Sequence, residues 1–408
     1  MQEIAALHLA PVEVAARCRG LPGMVFFDSA QTGNAWSFVA AQPSLILKGR
    51  TEADWTSLAG EIAHRQIDRC HGSGIPLGFA AGWVDYDGSF CFAFYERLLA
   101  FSHESARWVS VGGAYPQWAA TLAAPTEPGG WDAPCFSATM QREDFMARVE
   151  RAQEYIAAGD IYQVNLSHRF AAPWSGGDSF AFYRELRRCS PAPYAAFLSL
   201  PGRDVLSSSP ELFLEINGRQ IRTRPIKGTR PRRSDPEEDA RSARELVASP
   251  KEQAELIMIT DLERNDLGRV CDFGSVRASE VLKLERFAQV FHLVSTVEGS
   301  LRGDVDHVAA LRACFPGGSI TGAPKKRAME IIAELEPVPR GLFTGGIGYF
   351  GFNGTSQFNI AIRTVVIESG EAHFHVGAGI VADSQPAAEW QETLDKAAGI
   401  LLAANWKR

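Results

Sequence analysis

Residues 356–382, SQFNIAIRTVVIESGEAHFHVGAGIVA, form two extended apolar runs on either side of Ser369-Gly370. β-branched and aromatic residues fill both runs and Ser-Gly is a turn signal, so the stretch predicts a hairpin of 356–368 with 371–382. Further strand-like runs surround it: MVFFDSA (24–30), SLILKG (44–49), LGFAAGWVDY (77–86), SFCFAFY (89–95), DVLSSSPELFLEI, GRQIRTRPI, QVFHLVSTVEGSL and TGGIGYFGF. They outnumber any regular alternation of strand and helix. That favours an α+β fold of large antiparallel sheets flanked by helices over a doubly wound parallel sheet.

The stretch TLAAPTEPGGWDAP (121–134) has three prolines and two glycines, the composition of a linker. It predicts an N-terminal region over 1–125, mostly strands and packed on the core, and a catalytic core over 135–408. A chain of 408 residues, 46% hydrophobic and 22% charged, has ample length to bury a core. Net charge is −7 and pI about 5.8, so no overall basic field recruits nucleic acid or an anionic membrane. Seven scattered cysteines, without metal or C-x-x-C spacing, fit free thiols in a reducing compartment. With no apolar run of about 18 residues, the expectation is a soluble cytoplasmic protein acting on small molecules.

Four segments can carry chemistry. In SPKEQAELIMITDL (249–262), Ser249 can cap a helix with Pro250 in its first turn, and Glu252 is either its capping-box partner or a site residue. Glu255, one turn on, precedes Leu256-Ile257-Met258-Ile259, a run apolar all round that predicts a buried helix. A second helix follows Pro386, with Trp390, Leu394, Ala397 and Leu401 as its buried stripe and Glu389, Glu392 and Lys396 on another face. Two glutamate pairs of this kind supply hard oxygen donors, and Mg²⁺ takes one or two carboxylates and fills its other positions with water and substrate oxygens. PGGSITGAPKKRAMEII (316–332) is a glycine-rich loop entering a helix, suited to an anion but lacking the Walker pattern. RTRPIKGTRPR (222–232) places Lys227 in a loop shaped by Pro225 and Gly228 and crowded with arginines, whose field is partly cancelled by Asp235, Glu237, Glu238 and Asp239. Lys227 is either an anchor for an anion or a nucleophile, since neighbouring positive charge favours a neutral amine. Arg363, inside the apolar run FNIAIRTVV, requires an anionic partner.

Together, PIKGTRPR, KEQAELIMITDLERNDLGRVC, HLVSTVEG, FPGGSITGAPKKRAMEII, RGLFTGGIGYFGFNG, FNIAIRT and VGAGIVADSQPAAEWQET resemble the chorismate-utilising enzymes over about residues 140–400. That family comprises component I of anthranilate and aminodeoxychorismate synthases and the isochorismate and salicylate synthases. The resemblance implies Mg²⁺ held by Glu255 and Glu392, with Glu252 and Glu389 on its waters. It implies carboxylate contacts from Arg363 and Lys396, aided by backbone groups of Thr321, Gly322, Gly377 and Gly379. It further implies His292 near the leaving C4 hydroxyl and Glu211 as the acid that protonates it.

Two positions divide the family. Isochorismate and salicylate synthases have lysine in the motif reading GDIYQVNLS here, so Gln163, at the substrate, argues against them. PIKGT, where anthranilate synthases usually have PIAGT, is the form of aminodeoxychorismate synthases and makes Lys227 the reagent. The expected product is then 4-amino-4-deoxychorismate, a precursor of 4-aminobenzoate and folate. Ammonia would come from a glutamine amidotransferase partner, because no G-x-C-x-G elbow is present. The alternatives are anthranilate synthase component I and a scaffold that only activates an amidotransferase. Phe343, where the family often has tyrosine, removes a hydroxyl from the substrate's surroundings.

Overall fold

The computed structural model describes residues 1–29, 36–67, 74–126, 129–287 and 290–404; Cys70 lies outside them. Two sheets, of twelve and ten strands, form the body, and every strand pairing within them is antiparallel. The twelve-stranded sheet contains in spatial order Val25–Asp28, Tyr194–Leu200, Arg203–Ser209, Thr364–Glu368, Glu371–Ile380 and Gln163–Pro173. The ten-stranded sheet passes from Ile226–Pro231 through Val290–Ser300, Gln220–Arg224, Leu212–Asn217, Thr355–Ile360, Gly346–Gly351, Phe79–Val84 and Phe90–Tyr95 to Leu45–Gly49. The fold is α+β, as the density of strands predicts.

Strand periodicity of two assigns side chains to layers. Phe90, Phe92 and Phe94 pack with Trp55 and Leu58 of the helix Glu52–His64, while Cys91, Ala93 and Tyr95 pack with Leu198 and Val205 of the other sheet. Phe197 and Leu206 face outward from that other sheet, against Leu186 and Ile400 of two helices. The central core therefore lies between the sheets, and helices cover both outer faces.

Residues 1–125 are woven into this body. Val25–Asp28 pairs with Tyr194–Leu200, and Phe79–Val84 with Gly346–Gly351. The first 125 residues thus share both sheets with the rest of the chain, where the linker composition predicts an N-terminal region packed on the core.

Four further expectations are corrected. The run 356–368 is two strands in different sheets: Thr355–Ile360 pairs with Leu212–Asn217, while Thr364–Glu368 forms the hairpin with Glu371–Ile380. Arg363 sits in the passage between them with φ 50°, not inside a strand. Helix Pro250–Gly268 is half-buried, with Ile257 51% exposed. In Pro386–Ala404 the deepest stripe is Glu389, Thr393, Ala397 and Ile400, so a carboxylate occupies a position where Trp390 and Leu394 were expected.

Candidate functional site

Two passages of the chain between the sheets set the centre of the site. Glu211 lies in the first, between Arg203–Ser209 and Leu212–Asn217, and Arg363 in the second. The passages are bonded together: Ser208 N–H donates to the Arg363 carbonyl (3.0 Å), Ile360 N–H to the Glu211 carbonyl (3.1 Å), and Ser209 Oγ to the Ile360 carbonyl (2.6 Å). Burial pushes the Glu211 carboxyl pKa up, against the Ser319 side chain, Lys227 and the Ile226 N–H, which favour the anion. Burial likewise lowers the Arg363 pKa, and the Glu211 charge opposes this. No ion pair holds the Arg363 guanidinium among the described residues.

Lys227 is on a strand and not in a loop. It faces Leu293 across the pairing of Ile226–Pro231 with Val290–Ser300, and a bulge follows at Gly228 (φ 71°). That left-handed backbone favours glycine, and a Cβ there would also press on Leu246 Cδ1 (2.8 Å) and Glu252 Oε2 (3.0 Å). Lys227 Nζ makes a long bond to the Ser319 carbonyl, 3.5 Å. The surrounding arginines do not crowd it, because each has a carboxylate: Arg222 with Glu215, Arg224 with Glu285, Arg230 with Glu252 (3.6 Å) and Arg232 with Asp239 (2.9 Å).

His292 is 3% exposed and bonds Thr229 Oγ1 through Nδ1 at 2.9 Å. Burial, aided by the Arg363 charge, pushes its pKa down to about 4, so the ring is neutral at physiological pH. Its contacts hold the Gly228 bulge next to Lys227.

The two glutamate-bearing helices meet beside this centre. Ser249 caps the first, accepting from Glu252 N–H at 3.4 Å, but the Glu252 carboxylate pairs with Arg230 and does not close a capping box. Lys251 Nζ lies 3.9 Å from both Glu255 Oε1 and Glu389 Oε1. Lys396 Nζ bonds Glu392 (2.7 Å) and the Gly377 carbonyl (2.8 Å). Burial raises the pKa of Glu255 and of Glu389, whereas at Glu392 Lys396, Lys227 and Lys251 outweigh burial and hold the carboxyl below its usual range. Glu389 Oε1 accepts from Ser384 Oγ at 2.7 Å, and its buried Oε2 has no partner. An all-carboxylate donor set with one buried orphan oxygen fits a hard divalent cation. The four carboxylates do not converge as they stand, and among the described residues no three His, Cys, Asp or Glu side chains are close enough to hold a metal ion.

The glycine-rich loop is largely self-satisfied. Gly318 N–H donates to Glu263 (3.0 Å), Thr321 N–H to the Gly318 carbonyl (3.4 Å), and Thr321 Oγ1 to the Gly317 carbonyl (3.0 Å). Gly322, at φ 144°, pairs with Val164. Gly377 and Gly379 lie opposite Ser167 and Asn165 on neighbouring strands. Gln163 is fully buried beside Gly379 and Lys227: a Cβ on Gly379 would lie 2.8 Å from Gln163 Nε2 and 3.7 Å from Lys227 Nζ. Gln163, Gly379 and Lys227 are therefore brought together, with Glu211 in electrostatic reach of Lys227 and of Arg363, and His292 of Arg363, whereas the four expected metal carboxylates are not gathered around one point among the described residues.

Sequence reasoning missed Ser319, Lys251, Ser384, Glu263 and the buried pair Arg340–Glu336. Arg340 bonds Glu336 through two nitrogens, both at 2.8 Å, and also the carbonyls of Ile320 (3.1 Å) and Asn165 (2.7 Å). The signal available was position: Ser319 lies within PGGSITGAP and Arg340 opens RGLFTGG. Phe343 stacks on His375, with ring centroids 5.3 Å apart. A separate cavity lined by Phe27, Asp28, Phe38, Tyr194 and Asn359 shares no residue with this site. No helix among the described residues is long and apolar enough to cross a membrane.

Comparison with known proteins agrees with the geometry. The family described as chorismate binding enzyme matches residues 23–402. Aminodeoxychorismate synthase component 1 of Klebsiella aerogenes is 48% identical over 406 residues, 90% of each chain. Anthranilate synthase component 1 of Streptomyces coelicolor is 50% identical over 286 residues, 69% of this chain and 55% of its own length. Aminodeoxychorismate synthase component 1 of Bacillus subtilis is 48% identical over 262 residues, 64% of this chain and 56% of its own length. This chain thus spans about half the length of the last two relatives. Among solved structures, anthranilate synthase component I from Streptococcus pneumoniae superposes with a TM-score of 0.80 at 30% identity, covering 90% of this chain and 92% of that one. The menaquinone-specific isochorismate synthase of Escherichia coli has the same fold, with a TM-score of 0.80 at 19% identity over 99% of this chain and 94% of that one. With nearly its whole length matched and its polar centre built from the matching motifs, the chain belongs to the chorismate-binding enzyme family.

Proposed function

We propose that this protein is component I of an aminodeoxychorismate synthase, converting chorismate and ammonia to 4-amino-4-deoxychorismate in a Mg²⁺-dependent reaction. The observation that carries the reading is Lys227, an amine on a strand at the centre of the site, next to a buried carboxyl raised in pKa and a buried arginine without an ion pair. The likeness to the Klebsiella aerogenes protein over 90% of both chains supports it.

In this reading Arg363 and Lys396 bind the substrate carboxylates. The Lys227 nitrogen bonds to C2, the ring double bonds shift, and the C4 oxygen leaves as water with the Glu211 proton. Burial of Glu211 favours the protonated form that an acid must keep. Ammonia then bonds to C4, the double bonds shift back, Lys227 leaves C2 with its electron pair, and the surplus proton returns to Glu211. Glu255 and Glu392 would hold Mg²⁺, with Glu252 and Glu389 on its waters, and the bound ion makes the ring carboxylate's conjugated system a better electron sink. A glutamine amidotransferase subunit supplies ammonia in the cytoplasm, and the product feeds 4-aminobenzoate and folate synthesis.

The test is to incubate the protein with chorismate, Mg²⁺ and an ammonium salt and identify the product by mass spectrometry and fluorescence. Aminodeoxychorismate is expected. Lys227→Ala should lower its formation by at least about 10²-fold, the scale of a lost nucleophile; undiminished turnover excludes covalent catalysis. Chelating Mg²⁺ should stop turnover, and adding it back should restore it. The 50% identity to an anthranilate synthase component 1 favours a second reading, amination at C2, and fluorescent anthranilate as the product would establish it.

A further inference from the structure

A lysine where a glycine-rich loop enters a helix ordinarily offers its ammonium to an anion. Lys325, the first residue of the helix Lys325–Leu335, turns back beneath the loop instead. Its side chain is 15% exposed, and its three N–H donors are all taken, by the Asp266 carboxylate, the Cys314 carbonyl (3.1 Å) and the Pro316 carbonyl (2.7 Å). Asp266 is buried in turn, with its side chain 4% exposed. A cation in the first turn of a helix opposes the helix dipole, and a buried ion pair returns little more than its own desolvation cost. Stability of the helix therefore does not account for Lys325.

What the pair holds is the stretch of loop that meets the reacting groups. The carbonyls of Cys314 and Pro316 lead directly into the turn Gly318–Ile320. Glu263, three residues before Asp266 on the same helix, accepts the Gly318 N–H at 3.0 Å, and a Cβ at Gly318 would lie 2.6 Å from Leu262 Cδ2, so the turn rests on that helix. Ser319 is at its centre. The Ser319 side chain bonds Glu211, and the Ser319 carbonyl receives Lys227 Nζ at 3.5 Å. One residue thus touches both the expected acid and the expected nucleophile. The far end of the loop is fastened separately, the Ile320 carbonyl by Arg340 (3.1 Å) and the Thr321 carbonyl by the Asn165 N–H (2.9 Å).

We propose that Lys325, held by Asp266, is a positioning residue for the amination: by drawing the carbonyls of Cys314 and Pro316 around its ammonium, it sets Ser319 against Glu211 and Lys227. It acts through Ser319 and not on the substrate. This rests on the roles of Glu211 and Lys227 in the amination reading above. A misplacement of about 1 Å caused by a change away from the chemistry can cost about 10²-fold in rate. Arg363 and Lys396, the expected contacts of the substrate carboxylates, stand on other segments, and the Thr321 end of the loop has its own fastenings. The loss should therefore fall on kcat and spare chorismate binding.

The experiment compares wild type, Lys325→Met, Asp266→Asn, Ser319→Ala and the double change Lys325→Met with Ser319→Ala in steady-state amination with saturating chorismate, Mg²⁺ and an ammonium salt. Chorismate affinity is read by calorimetry, and folding by thermal melting. In Lys325→Met and in Ser319→Ala kcat should fall at least about tenfold, while the Kd for chorismate stays within about threefold. Asp266→Asn keeps an oxygen for the ammonium and should lose less. Because Lys325 acts through Ser319, the double variant should lose no more than about the larger of the two single losses. Losses that multiply in the double variant overturn the proposal, as independent structural damage would produce them. So does an unchanged kcat in either single variant, or a chorismate affinity that falls in step with kcat. Should Lys325→Met fail to fold, Asp266→Asn and its double with Ser319→Ala decide by the same comparison. A wild-type protein that forms no aminodeoxychorismate, or a Lys227→Ala variant that loses nothing, overturns the amination reading and this inference together, whereas amination with undiminished Lys325 variants overturns this inference alone.

Discussion

Arg363 is held in an unusual state by its neighbours. Its backbone is left-handed at φ 50°, a conformation few non-glycine residues adopt, and its guanidinium is buried beside Glu211 without an ion pair among the described residues. Such a group is kept for a planar anion, which a guanidinium binds through two parallel bonds and an ammonium cannot. Arg363→Lys should therefore raise the Kd for chorismate by about tenfold or more, read by calorimetry. Its melting temperature should stay near that of wild type, because backbone strain and charge are both retained. An unaltered Kd would place the substrate carboxylates elsewhere. Lys227 and Arg363 are legible in the sequence as polar residues inside distinctive motifs, and Glu211 enters only through the family resemblance. Ser319 is not legible there. The contact from Lys227 to Ser319 spans 92 residues, and only the topology makes it.

At the scale of elements, the run SFCFAFY reads as a strand, and Phe90–Tyr95 is one: one set of its side chains fills the core between sheets and the other the core under a helix. The segment 356–368 misled for the complementary reason. Its apolar run is continuous, and nothing in residue type marks the passage from one sheet to the other that falls at 361–363. What holds the neighbouring elements in register is Arg340, side chain 1% exposed, which binds Glu336 and ties the loop at Ile320 to the strand carrying Gln163 and Asn165. Removing one partner of a buried pair strands the other charge, at a cost of about 3–5 kcal/mol. Arg340→Ala should therefore destabilise the fold by about that much in urea unfolding. The double change Arg340→Met with Glu336→Gln should recover part of the loss, as it leaves no unpaired charge. Equal losses in both variants would show that the bonds to Ile320 and Asn165, and not the charge pairing, carry the stability.

Across the whole molecule, burial drives two opposing pH dependences. Burial lowers the pKa of His168, His292 and His373 to about 4 and that of His375 well below its usual value. As pH falls below about 6.5 the unfolded chain takes up protons that the folded one refuses, so these groups make stability rise with pH up to that point. Glu263 works the other way. Burial, reinforced by the Asp266 charge, pushes its pKa up to about 8, so the fold keeps a proton that the unfolded chain releases above about 4.5. Stability owed to this proton is present below about pH 4.5 and is lost as pH rises to about 8. Glu263→Gln keeps an oxygen to accept the Gly318 N–H and removes the titration, leaving the histidines untouched. The variant's advantage over wild type should grow between about pH 5 and 8, by at most about 1.4 kcal/mol per unit, and level off above. Chemical unfolding at pH 5, 6.5, 8 and 9 reads this directly. A constant difference between the two proteins over that range would mean that Glu263 is ionised in the fold, with Lys325, which bonds Asp266, as the nearby cation that its charge requires.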